Sequence, residues 1–216
     1  MASSIMHISV ASELNKILKK DEKQLLIGTI APDISKHIGE NKLRSHFLDE
    51  VTNDVPNLEL FLSKYKKHLN DDFVLGYYIH LYVDYLYFKY YLNEFYGKDC
   101  IYTKDGEIVK IAPGDAKKYI YEDYTNLNVQ LIDIYNLELK VFYEKIPSFK
   151  DIITEIPMDK IQLIVDKAGI IIENSTYDKL YVFDITSIKK FIEVCVDAIT
   201  NNLIELGIYK EEIEVI

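Results

Sequence analysis

Apolar residues recur along much of the chain at the three- and four-residue spacing of amphipathic helices. Residues 9–20 place Val10, Leu14, Ile17 and Leu18 on a single helix face. The pattern predicts further helices near residues 41–50, 56–68, 72–95 and 147–173, within the stretch GDAKKYIYEDYTNLNVQLIDIYNL, and from about Thr186 or Ser187 to Leu206. Because helix follows helix without repeats or a Pro/Ser-rich linker, we predict one all-α domain over residues 1–216, a multi-helix bundle.

Two interruptions divide this pattern. The stretch LLIGTIAPDISKHIG is expected to break at Gly28 and again at Ala31–Pro32, because a residue before proline avoids the helical region. Pro32 at the first position of a new helix would put Asp33 in the first turn, where an acid suits the helix dipole. Residues 97–112 hold a Lys-Asp-Gly turn between short β-rich runs, which predicts a small hairpin or an ordered loop.

The stretch LGYYIHLYVDYLYFKYYLNEF, residues 75–95, is apolar on nearly every side but carries His80 and Asp84 in its middle. Such a helix is normally buried, and ionisable groups are rarely buried without partners. Residues four apart share a helix face, so this pair can bind one metal ion through an imidazole nitrogen and a carboxylate oxygen. The spacing equally allows a buried His–Asp hydrogen bond that orients two helices.

Three other residues stand in similar apolar or turn-marked contexts. They are His7 in IMHIS, Asp33 in GTIAPDI and His46 in LRSHFLDE. Gly76 lies one turn before His80, where its lack of a side chain would let another segment approach closely.

Composition narrows the class of protein. The chain has 216 residues, 49% of them apolar, and its 25 basic and 35 acidic residues give a net charge of −10. An acidic surface gives no general attraction to nucleic acid or an anionic membrane, so we expect no extended nucleic-acid surface. No window reaches the roughly 18 apolar residues of a membrane span, and no secretion signal is recognisable. Cys100 and Cys195 lack metal-type spacing, so a cytoplasmic protein with free thiols is expected.

The order of these residues resembles that of the zinc-dependent phospholipase C superfamily, which also contains zinc-dependent single-strand nucleases. The shared features are a histidine near the N-terminus, an aspartate after a break, a histidine about a dozen residues later, and His-x-x-x-Asp on a buried helix. The strings GTIAPD, SHF and LGYYIHLYVDYLYFKYY are similar to those of small intracellular bacterial members. The resemblance covers roughly residues 1–95.

The resemblance implies a metal site. In it, Asp33, His46, His80 and Asp84 would hold one ion, while His7 and a bridging Asp84 would help to hold a second. Asp33 would also align or deprotonate the attacking water. Five ligands exceed one closed tetrahedral zinc site and fall short of two, which would leave the open positions that catalysis needs. We therefore expect one or two divalent ions, zinc first, with iron or manganese as alternatives.

The chain also departs from the superfamily. Secreted members hold a third ion with two later histidines and use a processed N-terminal amine as a ligand. Here no histidine follows His80 and six residues precede His7. Asp123 is our candidate for a substitute carboxylate, against the alternative of a solvated helix face.

The remaining histidines, the two cysteines and two tyrosines are further candidates for a role in a site. His37 and His68 lie in polar surroundings and are expected at the surface, and neither cysteine has the neighbouring histidine that a thiol nucleophile needs. Tyr77 or Tyr87 is expected to line a pocket.

Two functions follow from these features. The first is a metal-dependent phosphoric ester hydrolase, phospholipase C-like, that acts on a small phosphoester with metal-activated water. The alternative is a non-catalytic, metal-stabilised helical binding protein. A third possibility is a helical domain in which His80 and Asp84 only hydrogen-bond. An open coordination position beside a pocket would favour the first.

Overall fold

The structure is a computed structural model that describes residues 2–49, 54–112, 114–176 and 180–210. In these ranges it contains seven α-helices and one two-stranded sheet, which confirms the predicted all-α fold. The helices are α1 Ser4–Leu18, α2 Glu22–Ile30, α3 Leu58–Tyr65, α4 Asp72–Leu86, α5 Ala116–Tyr135, α6 Ile161–Glu173 and α7 Ile185–Glu205; the strands are β1 Cys100–Tyr102 and β2 Ile108–Lys110. None of the described helices has the length and apolar character needed to cross a membrane.

Polar side chains fix where several helices begin. The Ser3 hydroxyl accepts a hydrogen bond from the Met6 amide at 3.1 Å, so α1 starts at Ser4, earlier than the sequence pattern indicated. Asp21 caps α2 in the same way through the Gln24 amide. Asp184 accepts from two amides at the start of α7. These caps satisfy amides that have no partner within the helix.

The strands β1 and β2 form an antiparallel hairpin in which Ile101 lies opposite Val109. This hairpin confirms the structure predicted for residues 97–112. The Tyr102 amide donates to the Phe95 carbonyl and the Lys104 amide to the Tyr181 carbonyl, so the hairpin is joined to the segments after α4 and before α7.

One predicted helix was wrong, and a second predicted helix is shorter than expected. Residues 41–49 form turns and no helix, and residue 50 lies outside the described residues. Phe47 adopts a left-handed φ of 52°, which an α-helix does not allow, and its amide donates to the Arg44 carbonyl in a turn. This turn buries the apolar Phe47 side chain. Residues 147–157 are likewise irregular, and the helix predicted over 147–173 is restricted to α6.

The long helix predicted over 72–95 changes form at its end. It is α-helical to Leu86, continues as a π-helical turn over Tyr87–Tyr91, and ends in a short 3₁₀ segment, Leu92–Glu94. Such π-turns are frequently found at functional sites. The turn begins three residues after Asp84.

Two glycines allow α2 and α4 to cross in direct backbone contact. A β-carbon at Gly76 would lie 2.1 Å from the Leu25 carbonyl oxygen, and one at Gly28 would lie 2.2 Å from the Phe73 carbonyl oxygen. Gly28 therefore does not break the helix as predicted; it lies inside α2, which ends at Ile30, before Pro32. The crossing places the end of α2 beside the middle of α4, where His80 lies.

Candidate metal centre

The five residues singled out in the sequence converge in one buried cluster. His7 comes from α1, Asp33 from the 3₁₀ segment Ala31–His37 after α2, and His46 from the turn over residues 41–49. His80 and Asp84 come from consecutive turns of α4. No member of the cluster is more than 5% exposed. Their role as metal ligands stays a prediction, because proximity alone does not show an ion.

Donor atoms of Asp33, His46, His80 and Asp84 lie in close contact with one another along the cluster. The Nε2 atoms of His46 and His80 are 3.2 Å apart, and His46 Nε2 is 3.3 Å from Asp33 Oδ1. Asp84 Oδ2 lies 3.6 Å from His80 Nε2 and 3.8 Å from His46 Nε2. Ligands bound at about 2.0–2.1 Å to a tetrahedral zinc ion are about 3.3 Å from one another. The cluster therefore could hold a metal ion.

Hydrogen bonds fix which nitrogen of each imidazole faces this centre. His80 Nδ1 is 2.8 Å from the Thr29 carbonyl oxygen, which can only accept, so Nδ1 carries the proton and the Nε2 lone pair is free. His46 Nδ1 lies 2.9 Å from the Ser45 hydroxyl, which in turn donates to the Ser35 hydroxyl at 3.1 Å. That chain assigns the His46 proton to Nδ1 as well. Partners of this kind orient metal-binding imidazoles.

Charge in the cluster favours a cation. Burial by itself would raise the pKa of Asp33, but the His46 imidazole and the Lys36 ammonium outweigh it and hold that pKa well below its usual range. Burial is likewise outweighed at Asp84, whose pKa is lowered chiefly by its contact with the His7 imidazole. Burial lowers the pKa of His46, and burial together with His7 lowers that of His80 further. Two anionic carboxylates thus face two neutral imidazoles.

Several buried atoms of the cluster have no hydrogen-bond partner in the described structure. These atoms are both ring nitrogens of His7, Asp84 Oδ2, and Asp33 Oδ1, which forms an ion pair with the Lys36 ammonium at 3.5 Å. A buried polar atom without a partner is costly, so such atoms call for an explanation such as an ion. The residues present therefore fit a bound divalent cation.

The second half of the cluster surrounds the other oxygen of Asp84. His7 Nε2 is 3.3 Å from Asp84 Oδ1, and the Ala2 amide donates to the same oxygen at 3.1 Å. The His7 ring stacks on the His80 ring with centroids 3.9 Å apart. His7, His80 and Asp84 form one possible metal-binding triad, and Asp33, His46 and His80 form another. Because His80 has only Nε2 free, the two triads cannot both use it at once.

A cavity gives access to the cluster from one side. This cavity has a volume of about 290 Å³ and is lined by Asp33 and Ala2 together with Tyr121 and Tyr124 of α5. The same two tyrosines also line a larger cavity of about 490 Å³, to which Tyr87 contributes. The Tyr87 and Tyr124 hydroxyls are 2.6 Å apart. Asp33 is thus the ligand candidate that borders open space.

The other histidines weighed in the sequence lie outside the cluster. His37 is exposed and His68 is half-buried, as their polar surroundings indicated. Tyr77 is fully buried, stacks on Phe61 and donates a hydrogen bond to the Ser45 carbonyl, so it supports the turn that carries His46. Of the two tyrosines expected near a pocket, Tyr87 lines a cavity.

The Asp123 carboxylate binds main-chain amides and not the metal-ligand candidates. Its carboxylate accepts three hydrogen bonds, from the amides of Tyr181, Val182 and Phe183, at 2.6–2.9 Å. It belongs to neither metal-binding triad found among the described residues. Burial raises its pKa despite these bonds. Asp123 therefore ties α5 to the segment before α7, and neither the metal interpretation nor the solvated-face alternative describes it.

Sequence reasoning missed the groups that orient the ligand candidates. Ser45 is adjacent to His46 in the sequence, and its hydroxyl could have been proposed from that position. The Thr29 contact is made by a main-chain carbonyl, which no residue type reveals.

Comparison of the chain with known proteins adds no family assignment: no protein-family model, curated protein or solved structure matches it.

Proposed function

We propose that the cluster is a divalent metal centre and that the protein is a metal-dependent hydrolase of phosphoester bonds. The observation that carries this proposal is the buried convergence of Asp33, His46, His80 and Asp84, with contacts of 3.2–3.8 Å between their donor atoms and with Asp33 facing a cavity. Catalytic metal sites keep a position open to solvent or substrate, whereas structural sites are closed. Four protein ligands would fill a tetrahedral first ion, so the open positions would lie on the second ion, and the cavity lined by Asp33 and Ala2 supports the catalytic alternative.

Asp33, His46, His80 and the Oδ2 atom of Asp84 would hold the first ion. His7 Nε2 lies 3.3 Å from the Oδ1 atom of Asp84, and these two groups would help to hold a second ion, so Asp84 would bridge the two. Nitrogen and carboxylate ligands in this number suit zinc first, with iron or manganese as alternatives.

The chemistry follows from the residues around the ions. A divalent ion bound here would polarise a phosphoryl oxygen and lower the pKa of a bound water. Asp33 borders the cavity, where its carboxylate would align or deprotonate the attacking water. Thr29 and Ser45 would hold the imidazoles of His80 and His46 in place during the reaction. This scheme agrees with the resemblance to the zinc-dependent phospholipase C superfamily.

A second function is supported by the burial of the cluster. His7, His46, His80 and Asp84 are at most 1% exposed, and only Asp33 borders a described cavity. An ion enclosed in this way could serve to stabilise the helices, as structural zinc does. In that case the protein would be a metal-stabilised binding protein without hydrolase activity.

Two measurements test the proposal in sequence. Elemental analysis of protein purified without added metal should find zinc, iron or manganese at one or two ions per chain, and Asp84→Asn should lose it. Hydrolysis of bis(p-nitrophenyl) phosphate should then disappear with a chelator and return with one metal. Absence of metal in the wild-type protein would refute the metal centre. Full metal occupancy without turnover of a broad phosphoester panel would favour the stabilising role.

A further inference from the structure

The larger cavity beside the candidate metal centre is lined by several lysines, although the protein as a whole is acidic. It encloses about 490 Å³, and among the residues that the structure describes its charged lining comprises three lysines, Lys42, Lys98 and Lys117, and the acid Asp54. The chain as a whole carries a net charge of −10. The remaining lining is mainly apolar and aromatic, and it comprises Tyr87, Phe88, Leu92, Tyr96, Ile111, Ile120, Tyr121 and Tyr124 with small residues. Such a cavity suits an anion with an apolar part.

Lys42 is the partly buried lysine among the three that line this cavity. It is half-buried, and no carboxylate of the described residues forms an ion pair with it. Burial and the charge of Lys36 lower the pKa of Lys42, against the smaller opposing effects of Asp84, Asp33 and Asp54. Lys98 and Lys117 are exposed at the cavity rim. An ammonium group held in this position can bind a phosphoryl oxygen by a charge-assisted hydrogen bond.

Tyr121 and Tyr124 link the two cavities. They line both the large cavity and the smaller one that reaches Asp33. Tyr121 is 48% exposed, so part of its ring faces open space. Because the two cavities share these tyrosines, a ligand with its phosphoryl group near Asp33 would have its organic part beside the tyrosine rings.

We propose that the large cavity is the substrate-recognition site, that its ligand is a phosphoester bearing one ring-sized aromatic group, and that Lys42 holds the phosphoryl oxygen. This proposal rests on the proposed hydrolase function. The volume argues for one ring system, since pockets of about 300–1,000 Å³ enclose single drug-sized ligands. The tyrosine faces favour an aromatic group, because rings prefer offset or edge-to-face contact with other rings.

Phosphonates that cannot be hydrolysed test the proposal without requiring turnover. Calorimetry on the metal-loaded protein would compare phenylphosphonate, methylphosphonate and hexylphosphonate. Phenylphosphonate should bind about 3- to 10-fold more tightly than methylphosphonate, as expected for an aromatic contact. Hexylphosphonate binding more tightly than phenylphosphonate would show an aliphatic-chain site and would overturn the aromatic assignment.

Three variants separate the parts of the proposal. Lys42→Met should weaken binding of all three phosphonates by about 10- to 100-fold, the effect of a lost hydrogen bond between charged groups. Tyr121→Ala should remove only the preference for the phenyl group. Lys118→Met removes the same charge from an exposed position that does not line the cavity, and it should bind as the wild type does.

The outcomes distinguish this inference from the proposed function. If Lys42→Met and Tyr121→Ala retain wild-type phosphonate affinities at full metal content, the cavity assignment is wrong even if the protein hydrolyses phosphoesters. If the phosphonates bind in the expected order but no phosphoester is hydrolysed, the cavity assignment stands and the hydrolase proposal fails.

Discussion

Replacing Gly76 by alanine should destabilise the protein and disturb the metal centre together. The new β-carbon would lie 2.1 Å from the Leu25 carbonyl oxygen and 2.9 Å from the Thr29 amide nitrogen. Both neighbours are main-chain atoms of α2, so neither can rotate away as a side chain could. The helices would have to separate by about 1 Å to restore ordinary contact distances.

The magnitude follows from three contributions. Forcing an extra methyl group into a well-packed interface typically costs about 1–3 kcal/mol. We assign the upper value, about 3 kcal/mol, because the clash is with main-chain atoms. Separation of the helices would also lengthen the 2.8 Å contact between His80 Nδ1 and the Thr29 carbonyl, at a cost of about 1 kcal/mol. The better helix propensity of alanine returns about 1 kcal/mol. We therefore expect a net loss of about 3 kcal/mol.

Urea unfolding of metal-free protein measures this loss directly, and elemental analysis of the purified variant reports the metal. Gly169→Ala is the matched control, because it makes the same exchange inside α6. Its β-carbon would come no closer than 3.4 Å, to a ring carbon of Tyr143. That variant should gain about 1 kcal/mol from helix propensity and keep its metal.

Equal stability of the Gly76→Ala and Gly169→Ala variants would refute the reasoning. It would mean that α2 and α4 can part without cost, and that the crossing does not determine the position of His80.

Three further predictions concern other parts of the molecule. His80→Ala should lose bound metal in elemental analysis, whereas His68→Ala, at a half-buried position outside the cluster, should retain it. Asp123→Asn should lower the urea midpoint by the equivalent of about 1–3 kcal/mol, because an amide cannot accept three hydrogen bonds equally well, yet leave the metal content unchanged; a loss of metal would contradict its structural role. Glu155 is buried, which by itself would raise its pKa, but Lys64 and a tyrosine hydroxyl outweigh burial and lower it. Its ionised form therefore contributes stability that is fully present above about pH 4.5 and is lost as the pH falls through the lower folded pKa. Thermal unfolding of Glu155→Gln should show a shallower loss of stability between about pH 5 and pH 3 than the wild type, and parallel curves would show that this carboxylate does not contribute.

The helical fold could be predicted because its signals are local. The caps at Asp184 and the apolar faces of the helices lie within a few residues of the structures that they specify. The hairpin was also visible, since its turn residues lie between its two strands. Where tertiary contacts decide the conformation, as for the left-handed φ of Phe47, local spacing gave the wrong structure.

The cluster could be anticipated because its side chains are chemically conspicuous in apolar surroundings. Its separations could not, since they depend on how α1, α2 and α4 cross. The large cavity was invisible for the same reason: Lys42 and Tyr121 are distant in sequence, and neither stands in a recognisable motif.

The contact between Thr29 and His80 has a consequence for how this protein tolerates mutation. The acceptor is the carbonyl of residue 29, and the Thr29 hydroxyl is occupied with the Leu25 carbonyl. Exchange of threonine for alanine or valine would leave that acceptor in place, so natural variation at position 29 would be nearly silent for ligand orientation. Substitutions at Gly28 and Gly76, two residues without side chains, would instead disturb the orientation of His80. In a mutational scan, the most intolerant positions around the cluster should therefore include glycines that contribute no ligand at all.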